Sequence, residues 1–315
     1  MNSILVYSGK YLGALTVLFL TAGLTQAQDI CSKPGIILCE DFEWSDDPNY
    51  YSGGDQNTED WQANGWERFG SDFSNYPQPN GVKAGVGFGG SNGVVIFQPA
   101  NKKVSSGIYP THFIAEPGEG YEELYVQWKT KWSKNFAWDN ITVKNFYIKS
   151  FDKDRMMDWR VPLFINGKAK PVPELYGPLT GWYSNQYNRG PIDRYLSSNR
   201  TDIRYLNQEL DKWHTIEFYV KIETEKSGPG KEANGIFKMW DNGVLIMEHY
   251  DVQFRNKDSK VPMNAVWISP YWGGSGEESH PDQYVWYDDI IVSTSYIGVE
   301  DEVHPRAPAP LITTN

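Results

Sequence analysis

Long alternations of apolar and polar residues constrain this chain more than any other feature of its sequence. In "ELYVQWKTKW", Val126 and Trp128 fall on one side, whereas Lys129 and Lys131 fall on the other. The same period of two runs through "TVKNFYIKSF" and "HTIEFYVKIE". Such alternation is typical of half-buried β-strands. Many antiparallel strands in one chain of this size predict an all-β fold, a two-sheet antiparallel β-sandwich or jelly roll with one sheet bent into a concave groove.

The N-terminal segment is predicted to be removed before the chain functions. An apolar run, Tyr11 to Leu24, follows Lys10 and ends at the small-residue site "TQA". This pattern is typical of a secretory signal peptide, and no later stretch approaches the roughly 20 apolar residues of a membrane span. We therefore expect a secreted or periplasmic protein. It divides into a signal peptide (1–27), one β-jelly-roll domain (28–304) and a flexible Pro-rich tail (305–315).

Only two cysteines occur, Cys31 and Cys39, both in "CSKPGIILC". In an oxidising compartment, a short local disulfide is the simplest use for such a pair. A metal or redox role for the two thiols is the alternative.

The charge distribution indicates an anionic ligand. The formal net charge is −11, which argues against nucleic acid as a partner. Residues 129–170 nevertheless hold ten basic and four acidic residues, and a positive patch on an acidic protein favours an anionic ligand. A solvated strand face is the structural alternative. The 13 tryptophans and 20 tyrosines favour a sugar ligand, because flat rings bury much area and lose few rotamers.

Three stretches carry a resemblance to a known family: "LCEDFE", "WHTIEFYVKIET" with the following "NGIFKMWDNGVLIMEHYDVQFR", and "DQYVWYDDIIVSTSYIG". Together they resemble the concanavalin A-like jelly rolls of secreted polysaccharide lyases, of the alginate, glucuronan and heparin lyase kind. The resemblance covers most of residues 36–298. It implies an acidic polysaccharide as the partner. We expect a monomer, with no membrane partner.

The β-elimination that such lyases perform needs cations, a base and an acid. The C5 proton of a uronate is a very weak acid until a cation or amide neutralises the neighbouring carboxylate. A tyrosine or histidine then removes that proton, and an acid protonates the leaving oxygen. The sequence offers these groups at alternate positions of "VKNFYIKSF" and "GWYSNQYNRG". The catalytic candidates are Lys144, Tyr147, Lys149, Tyr183, Tyr187 and Arg189, and the substrate-binding candidates are Lys129, Asn145, Arg160 and Asn185.

The resemblance assigns these roles only in part. Related lyases carry a lysine on an inner strand and a Tyr-x-Tyr pair on a following one, which makes Lys144 or Lys149 and Tyr183 the counterparts. Asn185 stands where the second tyrosine is expected, and "VKNF" replaces a "KLPG" type sequence. Each candidate has a structural alternative, namely a solvated lysine at a strand end or a tyrosine that packs.

A calcium ion is the cofactor that the resemblance implies, as a structural ion near the first and last strands. Asp41 and Glu43 lie two residues apart, on one face of the first strand, and Asp289 of the last strand, or Asp288 beside it, is the third predicted ligand. Hydrogen bonds from Trp, Tyr or backbone donors to these carboxylates are the alternative.

We therefore interpret the chain as a polysaccharide lyase that cleaves an acidic, uronic acid-containing polysaccharide by β-elimination. The alternative is a non-catalytic, lectin-like carbohydrate-binding protein of the same fold. A third hypothesis is a hydrolase with dispersed carboxylates. The regular Glu, Asp, Glu spacing of laminarinase-type hydrolases does not occur in the sequence.

Overall fold

The computed structural model describes residues 30–53, 58–68, 80–101, 110–137, 143–166, 170–173, 209–225, 233–252, 254–255, 259–269 and 281–299. These ranges contain a short α-helix, α1 (Thr58–Ala63), a 3₁₀ turn (Phe88–Gly90) and the following strands: β1 (Ile36–Glu40), β2 (Tyr51–Gly53), β3 (Trp66–Arg68), β4 (Asn80–Lys83), β5 (Gly93–Gln98), β6 (Pro110–Phe113), β7 (Glu123–Trp132), β8 (Val143–Phe151), β9 (Met157–Asn166), β10 (Lys170–Pro173), β11 (Trp213–Lys221), β12 (Gly235–Asp241), β13 (Val244–Val252), β14 (Ala265–Ile268) and β15 (Gln283–Ser293). The predicted signal peptide and tail lie outside the described residues.

The strands form two antiparallel sheets, which confirms the predicted β-sandwich. Sheet A runs in the order β13, β12, β11, β7, β15, β5, β4 and β2, and β1 also pairs with β15. Sheet B runs in the order β10, β9, β8, β14, β6 and β3. The pairing of β1 with β15 sets the first described strand beside the last, as the resemblance implied.

Aromatic side chains fill the space between the sheets. Trp128 of sheet A is fully buried and stacks on Phe146 of sheet B, with ring centroids 4.3 Å apart and planes at 13°. Phe218 of β11 meets the same Trp128 ring edge-on at 5.0 Å. Because such pairs bury large apolar areas, they hold one sheet against the other.

Local patterns in the sequence predict several of these features correctly. Val126 and Trp128 of β7 face the core, whereas Lys129 and Lys131 are half-buried on the other side of sheet A. The turn between β12 and β13 has positive φ at Asn242 (48°) and Gly243 (74°), as a two-residue hairpin turn requires. A disulfide joins Cys31 to Cys39, with Cα atoms 5.7 Å apart, which confirms the predicted pair.

No helix in the described part of the chain has the length and apolar character needed to cross a membrane.

His214, at the start of β11, has a structural role in the core. Its Nδ1 lies 3.1 Å from Asp241 Oδ1, and its Nε2 lies 3.2 Å from the backbone oxygen of Glu209. Burial alone lowers the pKa of His214, but the hydrogen bond and charge of Asp241 outweigh it, so the pKa is raised above its usual value.

The raised pKa predicts a pH-dependent contribution of His214 to stability. Since the pKa is higher in the folded than in the unfolded chain, the stabilisation is complete below about pH 6.5 and is lost as the pH rises through the folded-state pKa. Melting temperatures of the wild type and His214→Gln, measured from about pH 5.5 to about pH 9, should differ most at the acidic end. A difference that stays constant or widens with pH would contradict this role.

Candidate functional site

Four side chains on the outer face of sheet B, the face turned away from sheet A, form the candidate site. Tyr147 and Lys149 come from β8, Arg160 from β9 and Trp267 from β14. The register pairs Tyr147 with Trp267 and Lys149 with Arg160. Directly opposite residues of an antiparallel pair project to the same side of the sheet. The strand register therefore gathers two cations, a phenol and an indole on one face.

The four side chains are in mutual contact. The rings of Tyr147 and Trp267 are 5.0 Å apart, and the guanidinium carbon of Arg160 lies 5.4 Å from the centre of the Tyr147 ring. The Lys149 ammonium lies over the Trp267 ring. Cation–π contacts of this kind hold a positive charge in place without neutralising it.

Lys149 is a buried cation without an ionic partner in the described part of the chain. Its side chain is only 4% exposed, and it makes no hydrogen bond or ion pair with any residue of the described ranges. Burial, and after it the positive charge of Arg160, lower the pKa of Lys149 well below its usual value. An anion bound beside the two cations would reverse both effects, since an opposite charge favours the ionised form.

A β-bulge changes the predicted faces of β8. The register with β9 shifts between Lys144 and Phe146, so that Asn145 is the additional residue. Asn145 is fully buried between the sheets, where its Oδ1 accepts a hydrogen bond from Trp128 Nε1 (3.1 Å) and its Nδ2 donates to Thr130 Oγ1 (3.4 Å). The prediction that Asn145 shares a face with Tyr147 and Lys149 is therefore wrong, because the alternation is interrupted at this residue.

The same bulge brings Lys144 to the outer face. Its register partner is Phe164, and the bulge sets Lys144 on the side opposite to Asn145 and Phe146, the side of Tyr147 and Lys149. Both predicted lysines of β8 thus belong to one face of sheet B.

Lys129 lies on the other sheet. It projects from the outer face of sheet A, where its ammonium pairs with Asp289 and lies 4.0 Å from the centre of the Phe88 ring. The predicted substrate-binding residues are therefore divided: Arg160 joins Lys149, whereas Lys129 does not. The remaining candidates, Tyr183, Asn185, Tyr187 and Arg189, lie outside the described residues.

Two residues of this face were missed in the sequence. Trp267 belongs to a strand of four residues that shows no extended alternation. Thr111 of β6 pairs with Trp267 in register, and its Oγ1 is buried without a hydrogen-bond partner among the described residues. Neither has a local signal, because only the pairing of strands distant in sequence brings them to Tyr147.

The buried carboxylates lie away from this face, and each accepts hydrogen bonds. Glu217 of sheet A accepts bonds from the backbone N–H groups of Ile297 and Gly298, both at 3.1 Å. Glu40 accepts one from Trp66 Nε1 at 2.8 Å, and Glu223, just after β11, accepts one from the backbone of Phe254 at 2.9 Å. Burial raises the pKa of all three glutamates. These carboxylates are structural acceptors, so they do not supply the facing pair that a hydrolase needs.

Asp288 and Asp289 lie where β15 changes its partner. Residues 283–287 pair with β5, residues 290–293 pair with β1, and the register with β7 shifts between Asp288 and Ile291. Asp288 Oδ2 accepts hydrogen bonds from the backbone N–H of Phe88 (2.6 Å) and from Ser91 Oγ (2.9 Å). Burial, and then the charge of Asp289, raise the pKa of Asp288 well above its usual value. The sheet accepts the aspartate pair because the 3₁₀ turn at Phe88 supplies hydrogen-bond donors to Asp288, and Lys129 pairs with Asp289.

The three predicted calcium ligands lie near one another but are already engaged. Burial, together with the charges of Asp41 and Asp289, raises the pKa of Glu43, whose Oε1 accepts a hydrogen bond from Asn92 N at 2.6 Å. Across the described ranges, no group of three His, Cys, Asp or Glu side chains has the arrangement of a metal site. As arranged, these residues fit calcium poorly, and calcium stays a prediction that a calorimetric titration of the folded protein checks.

Comparison with known proteins agrees with the motifs. Residues 188–290, about a third of the chain, match the family model described as polysaccharide lyase 14. The resemblance to polysaccharide lyases is confirmed. The match also supports the prediction that the chain is a lyase. No curated protein matches the chain.

Several solved structures resemble this fold. An endo-β-1,4-glucuronan lyase from the fungus Trichoderma reesei is 15% identical, with a TM-score of 0.48 over 79% of this chain and 96% of its own. The marine PL-14 alginate lyase from Aplysia kurodai is 14% identical, with a TM-score of 0.47 over 68% and 87%. The alginate lyase Aly36B is 13% identical, with a TM-score of 0.45 over 84% and 98%.

Proposed function

We propose that the chain is a secreted lyase that cleaves an acidic polysaccharide by β-elimination on the outer face of sheet B. The observation that carries this proposal is the buried Lys149 ammonium, which has no ionic partner among the described residues and lies opposite Arg160 and beside Tyr147. Burying an ammonium beside another positive charge is unfavourable unless an anion joins it. A uronate carboxylate is an anion of suitable size and charge.

In the proposed reaction, Lys149 and Arg160 bind the carboxylate attached to C5 of the sugar. Their charges stabilise the negative charge that develops on that carboxylate as the C5 proton leaves. A tyrosine that has first lost its own proton to solvent accepts the C5 proton as a phenolate, the electron pair of the C5–H bond forms a C4–C5 double bond, and the C4–O bond breaks. The leaving oxygen receives a proton from an acid. Tyr147 is the described tyrosine beside the cations, and Tyr183 and Tyr187 are the other candidates for base and acid.

Two features support secretion. The apolar run that ends at Ala27 has the pattern of a signal peptide, and the disulfide between Cys31 and Cys39 suits an oxidising compartment.

The test is near-ultraviolet absorbance of the purified mature protein incubated with alginate, glucuronan, heparin-type and pectic polymers, with and without chelator. An increase on one polymer would report the unsaturated uronate that elimination produces and would identify the substrate. If absorbance stays flat on all of them while the protein is retained on an immobilised polymer, the lyase proposal fails and a carbohydrate-binding module remains.

The charge of Arg160 predicts a specific change in the pH profile. Activity should fall as the pH rises through the lowered pKa of Lys149, because the neutral amine no longer balances the carboxylate. Arg160→Gln removes a positive charge that lowers this pKa, so the alkaline limb of kcat/KM should move to higher pH, although the rate itself falls.

The control for this shift is Lys238→Gln, a lysine of β12 on the other sheet, which should leave the limb in place. An alkaline limb that stays fixed or moves to lower pH in Arg160→Gln would show that Lys149 is not the titrating group.

A further inference from the structure

A second cationic and aromatic surface lies on the outer face of sheet A. Lys131 of β7 is paired in register with Trp213 on one neighbouring strand and with Trp286 on the other. Its ammonium lies 5.1 Å from the centre of the Trp213 ring and 4.6 Å from that of Trp286. The lysine is thus held between two indole rings.

The aromatic row extends beyond this lysine in both directions. Trp286 stacks on Tyr284 at 5.7 Å, and Tyr284 contacts Phe97 of β5 at 5.0 Å. At the other end, Trp213 meets Phe88 edge-on at 6.2 Å. The row spans four neighbouring strands, with rings from β11, β15 and β5 and Lys131 from β7, a width of roughly 15 Å at the usual strand spacing.

Core packing does not account for this row. Trp213, Tyr284 and Trp286 are only half-buried and lie outside the core cluster, and Phe88 is 41% exposed, whereas Phe97 at the far end of the row is buried. An accessible surface of large rings with cations among them marks a binding site more often than a plain solvated face.

The charges of the row identify the class of ligand. Within the described ranges, Lys131 makes no ion pair, so its charge is available to an anion. Another aromatic cluster on the same face of sheet A differs in this respect: Lys238 contacts the Tyr250 ring at 5.1 Å but is paired with Glu248 at 3.7 Å. An indole face beside an unpaired ammonium suits a sugar ring that carries a carboxylate.

We propose that Lys131, Trp213 and Trp286 form a second binding surface for an acidic polysaccharide, on the opposite side of the sandwich from Lys149. The choice of a uronic acid polymer rests on the proposed function, because the ligand is the polymer that the first site would cleave. Two surfaces that hold one long polymer increase its apparent affinity without changing the chemistry at either one.

The experiment is affinity gel electrophoresis in the polymer identified by the absorbance panel, with Lys149→Ala as the background so that the polymer is not degraded. In this background the protein should still be retarded by the polymer. Adding Trp286→Ala or Lys131→Ala should weaken binding about tenfold. Trp286→Tyr, which keeps an aromatic ring, should lose less affinity for the polymer than Trp286→Ala. Circular dichroism would show that each variant is folded.

The matched controls are Lys238→Ala and Trp240→Ala, which replace a lysine and a tryptophan elsewhere on the same sheet. Equal retardation of these controls and of the Lys131 and Trp286 variants, or no retardation of any protein, would overturn the proposed surface. Sedimentation that shows a dimer broken by Lys131→Ala would instead assign the face to a second copy of the chain, which also overturns it.

Failure of this surface can be distinguished from failure of the lyase proposal. Retardation that depends on Lys131, with no unsaturated product from any polymer, would support the surface and reject the lyase. If no polymer is cleaved, the gel contains instead each polymer of the panel that retains the protein when it is immobilised. Formation of product without any effect of Lys131 or Trp286 on retardation would support the lyase and reject the surface.

Discussion

Lys149→Met is expected to lower the initial rate of unsaturated-uronate formation by about 10²- to 10³-fold, the usual effect of removing one group that stabilises a developing charge. The side chain of methionine fills a similar volume but cannot balance a carboxylate. The measurement is the increase in near-ultraviolet absorbance on the substrate polymer, at several substrate concentrations, so that kcat and KM are obtained separately.

The same variant should not lower the melting temperature. Lys149 is buried without an ionic partner among the described residues, and its pKa is lower in the folded than in the unfolded chain. Such a group destabilises the fold increasingly as the pH falls, so any gain in the melting temperature of Lys149→Met should be largest on the acidic side.

Lys238→Met is the matched control, because Lys238 has an ionic partner in Glu248 and lies on the other sheet. It should leave the rate on the polymer essentially unchanged. If Lys149→Met lost activity and melting temperature together, or kept full activity, Lys149 would have a structural role and the catalytic assignment would be rejected.

Trp128→Ala is expected to lower the free energy of unfolding by about 3–5 kcal/mol, the range for truncating a buried aromatic side chain. Trp128 is fully buried, stacks on Phe146 of the opposite sheet and donates a hydrogen bond to Asn145 Oδ1. Alanine therefore creates a cavity between the sheets and leaves a buried amide oxygen without this donor. Urea unfolding, followed by tryptophan fluorescence and by circular dichroism, measures the change.

Two further variants separate these contributions. Trp128→Phe keeps most of the apolar contact but lacks the indole N–H, so the free energy of unfolding should fall by about 1–3 kcal/mol. Trp240→Ala, on the outer face of sheet A, should lower the free energy of unfolding clearly less than Trp128→Ala does, since Trp240 lies outside the core cluster. A cost for Trp128→Ala no greater than that for Trp240→Ala would show that the stack does not hold the sheets together.

The alternating strands could be predicted from the sequence because burial on one face of a strand repeats every two residues. The two faces of β7 and of β11 are predicted correctly for this reason. The hairpin turn at Asn242 and Gly243 is also predicted correctly, because these residue types permit positive φ. The disulfide of Cys31 and Cys39 also follows from residues close in sequence.

The bulge at Asn145 could not be predicted in this way. An asparagine at an alternate position of a strand is ordinarily placed on the polar face, and nothing beside it in "VKNFYIKSF" indicates otherwise. Its partners, Trp128 and Thr130, belong to the opposite sheet. The interior position of Asn145 follows from those contacts, and the outer position of Lys144 follows from the same bulge.

The sequence by itself thus determined the all-β class, the faces of its regular strands, the local disulfide and the resemblance to polysaccharide lyases, because each depends on residues near one another in the chain. Only the tertiary structure decided which cations share a site. The pairing of β8 with β9 and β14 brings Lys149 to Arg160 and Trp267, whereas β7 carries Lys129 to the other sheet. Strand pairing between distant segments sets these neighbours, and alternation within a strand defines its two faces but not the strands beside it.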